Sequence, residues 1–133
     1  MRITINIIFI VGLSMLAIAV KQPTHLTVNF MHNPVGLDAD NVECLRFGWR
    51  IKDGMQTAYQ IQLSNGWDSG KKESSAQNGI LYTGSELTPK TVYTWKLKIW
   101  VDGKETNWVE SSFETGILKS SDWKGQWVFK AEP

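Results

Sequence analysis

Four segments of this chain alternate apolar and polar residues with a period of two, and this pattern constrains the fold more than any other feature. The segments are residues 26–30, 45–51, 59–63 and 93–99. A period of two sends successive side chains to opposite faces, so each segment predicts a β-strand with one buried face and one wet face. Two weaker strands are predicted near residues 79–83 and 109–115, and no stretch shows a helical period longer than two turns.

Two sheets of half-buried strands can bury their apolar faces against each other, and a small sandwich usually has six or seven short strands. Turn dipeptides such as Asp53-Gly54, Asn65-Gly66 and Asp102-Gly103 separate the predicted strands. The sequence therefore predicts an all-β fold. The architecture that fits best is an immunoglobulin-like or fibronectin type III-like antiparallel β-sandwich of six to seven strands.

A short segment before the longest predicted strand refines this expectation. Leu87, Pro89 and Tyr93 resemble the corner that leads into the penultimate strand of fibronectin type III domains. We expect the Tyr93 hydroxyl to form a hydrogen bond with the backbone upstream of it. By alternation Trp49 and Trp95 point inward, so they complete the predicted structural core with Tyr93. The same alternation places Leu26, Val28 and Phe30 on the buried face of the first strand.

The N-terminal residues have the pattern of a targeting segment. Arg2 precedes the uncharged apolar residues 3–20, and Ala17 and Ala19 fit the −3 and −1 positions of a cleavage site. This pattern is typical of a secretory signal peptide over residues 1–19 and predicts a secreted or periplasmic protein. The alternative is an uncleaved anchor, because about 18 apolar residues can just span a bilayer.

The charge balance argues against several partners. The formal net charge is +1, and removing Arg2 with the signal peptide would bring it to zero. A chain without net charge has no overall field that attracts nucleic acid or an anionic membrane. We therefore predict no nucleic-acid partner, and no membrane association after cleavage of the signal peptide.

A search for catalytic or metal-binding residues is largely negative. His25 and His32 have no metal-ligand spacing with another His or Cys. Asp38 and Asp40 resemble the start of a calcium loop, but the required Gly and distal Glu do not follow, so a plain turn is favoured. Cys44 has no His nearby and no adjacent Lys or Arg, which favours a buried or harmless thiol. We predict no catalytic residue, no metal and no cofactor in this chain.

The tryptophan content is unusual, because seven tryptophans exceed what one small core requires. Trp100 falls in the outward register of Lys96 and Lys98, and the others outside the predicted core lie in turns or near strand ends. The candidates for contacts with a neighbouring domain or with carbohydrate are Trp67, Trp100, Trp108, Trp123 and Trp127. Exposed aromatic residues stack on sugar rings or pack on another domain, and the third interpretation is that they cap their own core.

A series of short motifs occurs in a fixed order between residues 25 and 128. They are Asn-Pro-Val-Gly-Leu-Asp at 33–38, Arg-Phe-Gly-Trp at 46–49, Thr-Ala-Tyr-Gln-Ile at 57–61, Trp-Asp-Ser-Gly-Lys at 67–71, Tyr-Thr-Gly at 82–84, Tyr-Thr-Trp at 93–95, Ile-Trp at 99–100 and Trp-Lys-Gly-Gln-Trp at 123–127. This ordered set resembles the N-terminal module of bacterial α-L-rhamnosidases, which are large secreted or periplasmic enzymes that remove terminal rhamnose. The loop over residues 38–46 is longer than usual and lacks a Pro, and the connection over 63–67 is shorter.

The residue patterns predict a signal peptide at 1–19 and the β-sandwich at 20–118, and the resemblance adds an exit linker at 119–133 toward a further domain. The resemblance also implies that the catalytic acid and base lie in a later (α/α)-barrel domain, to which no position of this chain corresponds. Two functions of different classes follow, one from the resemblance and one from secretion together with the excess of tryptophan.

The first function is a non-catalytic module that supports or positions the catalytic and other β domains of a rhamnosidase, in cis or in trans. The second is a stand-alone secreted carbohydrate-binding module that stacks a rhamnose-containing glycan on Trp67, Trp100 or Trp108. An independent glycosidase is a third interpretation, and hydrolysis of an aryl rhamnoside would test it.

Overall fold

The computed structural model of this protein describes residues 21–126 and residue 128. The predicted signal peptide at residues 1–19 and the candidate contact residue Trp127 lie outside the described residues.

The described part of the chain contains seven strands and two short helical segments. In chain order they are β1 (Thr24–Val28), α1 (Ala39–Glu43), β2 (Arg46–Arg50), β3 (Gln56–Leu63), β4 (Ile80–Leu81), β5 (Val92–Val101), β6 (Lys104–Glu105), β7 (Val109–Glu114) and a 3₁₀ turn (Ser120–Asp122). The smaller sheet has the order β1-β2-β4. In the larger sheet β5 is central, with β3 on one edge and both β6 and β7 on the other. All these strand pairs are antiparallel, which confirms the predicted fold class.

The core lies between the two sheets and is built from the alternating apolar positions of β2 and β5. Phe47 on β2 packs against Trp95 on β5 with ring centres 4.7 Å apart, so aromatic rings join the sheets directly. Trp49 and Trp95 are 1% and 0% exposed. Burial of large rings is the main source of stability that a domain of this size has.

A buried glutamine links the two sheets through polar contacts. The Trp49 Nε1 group donates to Gln56 Oε1 at 2.8 Å. The Gln56 side-chain amide donates in turn to the carbonyl oxygens of Ser74 and Ala76, at 3.0 and 2.8 Å. Gln56 is 2% exposed, and these bonds satisfy polar groups that would otherwise be costly to bury.

Tyr93 closes the corner that precedes β5, as the sequence predicts. The Thr88 backbone N–H donates to the Tyr93 hydroxyl oxygen at 2.7 Å, and the Tyr93 ring stacks on Phe113 at 5.3 Å. Thr115 Oγ1 donates to the Thr88 carbonyl at 2.6 Å. The corner is therefore held from both β5 and the end of β7.

The end of β1 differs from the prediction, because Phe30 does not point inward. Val28 and Met31 exchange backbone hydrogen bonds of 2.9 and 3.0 Å, which ends the strand in a tight turn. Asn29 and Phe30 occupy the two central positions of that turn with φ of 48° and 66°. Phe30 is therefore 74% exposed, and the alternation predicted from its sequence position is wrong there.

A short helix also departs from the sequence prediction, which contains none. The Asp38 side chain accepts from the Asn41 backbone N–H at 3.0 Å, so it caps the N-terminus of α1 rather than forming the predicted plain turn. This backbone hydrogen bond lowers the pKa of the Asp38 carboxyl, and the Asn41 side-chain amide adds to the effect. A helix of five residues is too short to show an apolar period in the sequence.

Candidate functional site

The outer face of the larger sheet brings together tryptophan, lysine and glutamine side chains. The register of β3 and β5 pairs Ala58 with Trp100, Gln60 with Lys98 and Gln62 with Lys96. Directly paired residues of an antiparallel sheet point to the same face. Leu97 and Ile99, which alternate with these residues on β5, are fully buried in the core. Trp100 therefore lies on the outer face, in the same register as Lys96 and Lys98.

Two lysines lie over the half-buried indole rings of this face. Lys71 Nζ is 4.6 Å from the centre of the Trp100 ring, and Lys98 Nζ is 5.8 Å from it. Lys98 Nζ is also 4.8 Å from the centre of the Trp108 ring and 3.5 Å from Glu105 Oε2. We call Lys71, Lys98, Trp100 and Trp108 the tryptophan face.

The lysines of the tryptophan face restrict what its indoles can bind. A cation over an aromatic ring contributes about 0.5–1 kcal/mol at exposed sites and about 2 kcal/mol when desolvated. Trp100 and Trp108 are both half-buried, so their cation–π contacts lie between these limits. A sugar ring that stacks on Trp100 must compete with Lys71 and Lys98 for the faces of the indole. Stacking therefore requires one of these lysines to move aside, for example to form a hydrogen bond with a sugar hydroxyl.

A polar cluster lies beside the tryptophan face. The Asp68 carboxylate accepts from Gln60 Nε2 at 2.9 and 3.2 Å, from Gln62 Nε2 at 2.9 Å and from the Gly70 backbone N–H at 2.7 Å. The bond from Gln60 is the largest cause that lowers the pKa of the Asp68 carboxyl, and the bonds from Gly70 and Gln62 add to it. These contacts fasten the segment 67–72 to the free edge of β3.

Trp67 has a packing role at the edge between the two sheets. Its ring stacks on Phe47 with centres 6.0 Å apart and meets the Tyr82 ring edge-on at 4.9 Å. Trp67 is half-buried and packs against the core. A groove of about 350 Å³ borders it, with Tyr59 and Leu81 among the lining residues.

Trp123 lies where the chain leaves the sandwich. It follows the 3₁₀ turn Ser120–Asp122 and is 54% exposed. The Asp122 carboxylate accepts from the backbone N–H groups of Leu118 and Lys119 at 3.1 and 2.9 Å. Lys90 Nζ donates to the Asp122 carbonyl at 3.4 Å, so the exit segment is attached to the start of β5.

The structure brings only some of the candidate tryptophans together. Trp100 and Trp108 meet at Lys98, whereas Trp67 lies at the sheet edge and Trp123 at the exit. Sequence reasoning missed the contact between Lys71 and Trp100. The alternation along β5 already indicated the outward position of Lys98, but nothing in the sequence indicated where Lys71 lies.

Within residues 21–126 and 128, no three side chains of the types His, Cys, Asp and Glu are grouped so that they could hold a metal ion. The sequence predicts that the Cys44 thiol is either buried or harmless. Cys44 is exposed, so the prediction of a buried thiol is wrong. No helix in this part of the chain is long and apolar enough to cross a membrane.

Comparison with protein families and with curated sequences gives consistent matches. A family described as "Rha78A-like, N-terminal immunoglobulin domain" matches residues 23–119. An α-L-rhamnosidase of Streptomyces avermitilis is 31% identical over an alignment of 134 positions. The alignment covers 90% of this chain and 12% of the relative. An α-L-rhamnosidase of Formosa agariphila is 33% identical over 81% of this chain and 13% of its own length. The chain thus spans only 12–13% of the length of these relatives.

Solved structures give the same result at the level of the fold. The structure of α-L-rhamnosidase from Dictyoglumus thermophilum matches with a TM-score of 0.73 and 33% identity, over 84% of this chain and 14% of that one. Streptomyces avermitilis α-L-rhamnosidase complexed with L-rhamnose matches with a TM-score of 0.67 and 31% identity, over 77% of this chain and 11% of that one.

Proposed function

Since this chain belongs to the family of Rha78A-like N-terminal immunoglobulin domains, we propose that it is the non-catalytic module that supports or positions the catalytic domain of an α-L-rhamnosidase. The family match confirms the resemblance predicted from the ordered motifs. The observation that carries the proposal is the coverage, because 90% of this chain aligns with only 12% of a rhamnosidase.

The exit segment supports a positioning role. Asp122 ties residues 118–122 into a turn, and Lys90 attaches that turn to the sandwich. A turn held in this way sets the direction in which the chain continues toward the next domain. Trp123, half-exposed directly after the turn, is the residue through which we expect the module to pack on the next domain.

The proposal is tested by reading the coding sequence beyond codon 133 and by deleting the module from the enzyme found there. We expect further rhamnosidase domains to follow, and we expect deletion of residues 21–118 to lower the melting temperature of the remaining enzyme. Trp123→Ser in the full enzyme should reproduce part of that loss, whereas Met55→Ser, at another exposed apolar side chain, serves as the control. Unrelated downstream sequence, or an unchanged melting temperature after deletion, would contradict a positioning role in cis.

Export belongs to the same proposal. The apolar stretch at residues 3–20 and the small residues before Val20 support cleavage after Ala19 and release into the periplasm or the medium. Mass spectrometry of the N-terminus after expression in a bacterial host tests this. A mature chain that begins at Val20 is expected, and an intact Met1 in the membrane fraction would indicate an anchor instead.

A second candidate function is glycan binding on the tryptophan face. The observation that favours it is the meeting of Trp100 and Trp108 at Lys98, beside the polar cluster of Asp68. Titration with a rhamnose-containing polysaccharide should then change the tryptophan fluorescence. Trp100→Ala should abolish the change and Trp123→Ala should retain it, whereas a flat titration with folded protein would contradict this function.

A further inference from the structure

A groove crosses the outer face of the smaller sheet, on the side of the sandwich away from the tryptophan face. It has a volume of about 280 Å³, and its lining includes His25, Thr27, Phe30, His32, Arg50 and Asn78. A smaller depression, which has no room for a water molecule, shares Thr27, Phe30 and Asn78 with it and extends to Arg46. We call this surface the basic groove.

The charge in the basic groove has one sign only. No acidic side chain lines it within the described residues. Arg46 and Arg50 are exposed, and neither guanidinium belongs to an ion pair in the part of the chain that the structure describes. The rings of His25 and His32 lie 6.0 Å apart, which adds two nitrogen-bearing rings to the two guanidinium groups.

The histidines leave one nitrogen each for a ligand. His32 Nδ1 is 3.2 Å from the Leu26 carbonyl oxygen, and His25 Nδ1 is 3.1 Å from Thr24 Oγ1. These contacts occupy the Nδ1 atoms. The Nε2 atoms remain as the groups that can form a hydrogen bond with a bound molecule.

Two residues that line the basic groove, His25 and Phe30, have a positive φ, which is unfavourable for residues other than glycine. β1 contains one extra residue between Thr24 and Thr27 relative to β2, and His25 within this bulge has φ of 53°. Phe30 has φ of 66° while its ring is 74% exposed. Non-glycine residues rarely adopt such angles, and here the bulge in β1 and the turn between Val28 and Met31 account for them. The two features place His25 and the exposed Phe30 ring beside the groove.

A glycine lets two neutral polar groups converge at the centre of the groove. A Cβ atom at Gly48 would lie 2.7 Å from Asn78 Oδ1 and 2.9 Å from Thr27 Oγ1. Only glycine therefore allows this amide and this hydroxyl to lie against the sheet. The basic groove thus combines cations at its ends, an aromatic ring at its side and neutral hydrogen-bonding groups in its middle.

We propose that the basic groove binds a carboxylate-bearing sugar of a glycan. Arg50 receives the carboxylate as a charge-assisted bidentate pair, and Arg46 at the other end adds positive charge. The Phe30 ring packs on the apolar C–H face of the sugar ring, and Asn78 and Thr27 form hydrogen bonds with its hydroxyls. This site is separate from the tryptophan face and is not required for the positioning function proposed above.

The dimensions favour a sugar over an acidic segment of another protein. The volume of about 280 Å³ is just below the range of about 300–1,000 Å³ for small-molecule sites, which suits one sugar ring rather than a longer ligand. A stable protein interface needs about 800 Å² on each partner, far more than the lining of this groove offers.

The test is a ¹H–¹⁵N NMR titration of the full chain with a matched pair of glycans. Tetragalacturonate and its methyl ester differ in the charge of the carboxyl group. We expect the free acid to shift the amide signals of Thr27, Gly48 and Asn78 saturably, with at least tenfold lower affinity for the ester. The indole signals of Trp100 and Trp108 should not move, which separates this site from the tryptophan face.

Variants identify the residues responsible. Arg50→Gln and Phe30→Ser should each weaken binding of tetragalacturonate about tenfold or more, since each removes one recognition element. Lys104→Gln removes one exposed cation from the other sheet and should leave affinity unchanged. Unaltered circular dichroism shows that each variant is folded.

Three results would overturn the proposal. They are equal affinity for the acid and the ester, unchanged affinity in the folded Arg50→Gln variant, and absence of saturable shifts with tetragalacturonate. Binding of a triglutamate peptide without binding of tetragalacturonate would also overturn it and would identify an acidic protein segment as the occupant. None of these results bears on the deletion experiment in the full enzyme, so failure here is distinguishable from failure of the positioning role.

Discussion

The two core tryptophans differ in how their indole N–H groups are satisfied. Trp49 Nε1 donates to the buried Gln56, whose own amide holds the backbone at Ser74 and Ala76. Trp95 Nε1 is buried without a hydrogen-bond partner among the described residues. The ring of Trp95 therefore stabilises the domain through its volume alone, whereas Trp49 contributes both volume and a hydrogen bond.

This difference predicts unequal effects for the same substitution. Trp49→Phe and Trp95→Phe remove similar ring volume, but only Trp49→Phe leaves the Gln56 oxygen without its donor. A buried unpaired acceptor costs about 1–3 kcal/mol, so we expect Trp49→Phe to lower the free energy of unfolding by about that much more. Urea unfolding of both variants measures the difference, and equal losses would show that the Gln56 contact is not stabilising.

The turn at Asn29 and Phe30 gives a second prediction for a single residue. Glycine adopts a positive φ freely, and the exposed Phe30 ring gives up little packing, so Phe30→Gly should stabilise the domain by about 0.5–1 kcal/mol. Phe30→Ala is the control, because it removes the ring and keeps the backbone cost. Equal stabilisation by both variants, measured in urea, would show that the ring and not the backbone conformation is unfavourable.

At the scale of elements, the strands that the sequence predicts well are those with unbroken alternation. β2 and β5 keep their phase from end to end, so their inner and outer residues follow from the period of two. β1 and β3 each contain a register shift, between Thr24 and Thr27 and between Gln56 and Ala58. A bulge reverses the phase of everything on one side of it, and alternation alone contains no information about where it falls.

The segment 67–72 is the element whose attachment depends most on one ionised group. Hydrogen bonds, first of all from Gln60, hold the pKa of the Asp68 carboxyl below its ordinary value. A carboxyl whose pKa is lower in the folded state stabilises the fold above its unfolded pKa, and this contribution is lost as the pH falls through the folded pKa. Part of the stability of the chain should therefore disappear below about pH 4.

Asp68→Asn tests this prediction. The variant should be less stable than the parent at pH 7, and its urea midpoint should fall less between pH 5 and pH 3. Asp40→Asn, which removes one exposed carboxylate elsewhere in the chain, is the matched control. The same slope in parent and Asp68→Asn would show that the polar cluster does not depend on the ionised form.

At the scale of the whole molecule, the two sheets carry different chemistry on their outer faces. The larger sheet carries the tryptophan face, and the smaller sheet carries the basic groove. The formal net charge of +1 gave no indication of a basic surface, because acids elsewhere in the chain balance it. His25 and Arg50 are far apart in sequence and become neighbours only through the pairing of β1 with β2.

The same reasoning explains which parts of the candidate sites could be predicted. The outward position of Trp100 follows from alternation within one strand. The position of Lys71 over Trp100 depends on where a loop returns along β3, and the position of Phe30 depends on a left-handed turn. Both are long-range or backbone effects, and hydrophobic periodicity records neither.

The exit of the chain connects the fold to the positioning role, and it gives the last prediction. Asp122 accepts two backbone hydrogen bonds within the turn, whereas the exposed ion pair of Lys119 with Glu86 at 3.0 Å is of a kind that contributes little. Asp122→Ala should therefore speed hydrogen exchange of the amides at Leu118 and Lys119 without moving the urea midpoint. Glu86→Gln should change neither quantity.

Under the proposed positioning role, a loosened exit would no longer fix the direction of the domain that follows in the full enzyme. We expect Asp122→Ala there to lower the melting temperature of the catalytic part while the immunoglobulin-like module itself stays as stable as before. Exchange at Leu118 and Lys119 that stays slow in the variant would show that the sandwich holds the exit without Asp122. A loosened exit with an unchanged melting temperature would instead mean that the module is joined to its neighbour through surface contacts such as those of Trp123, and not through the geometry of the chain.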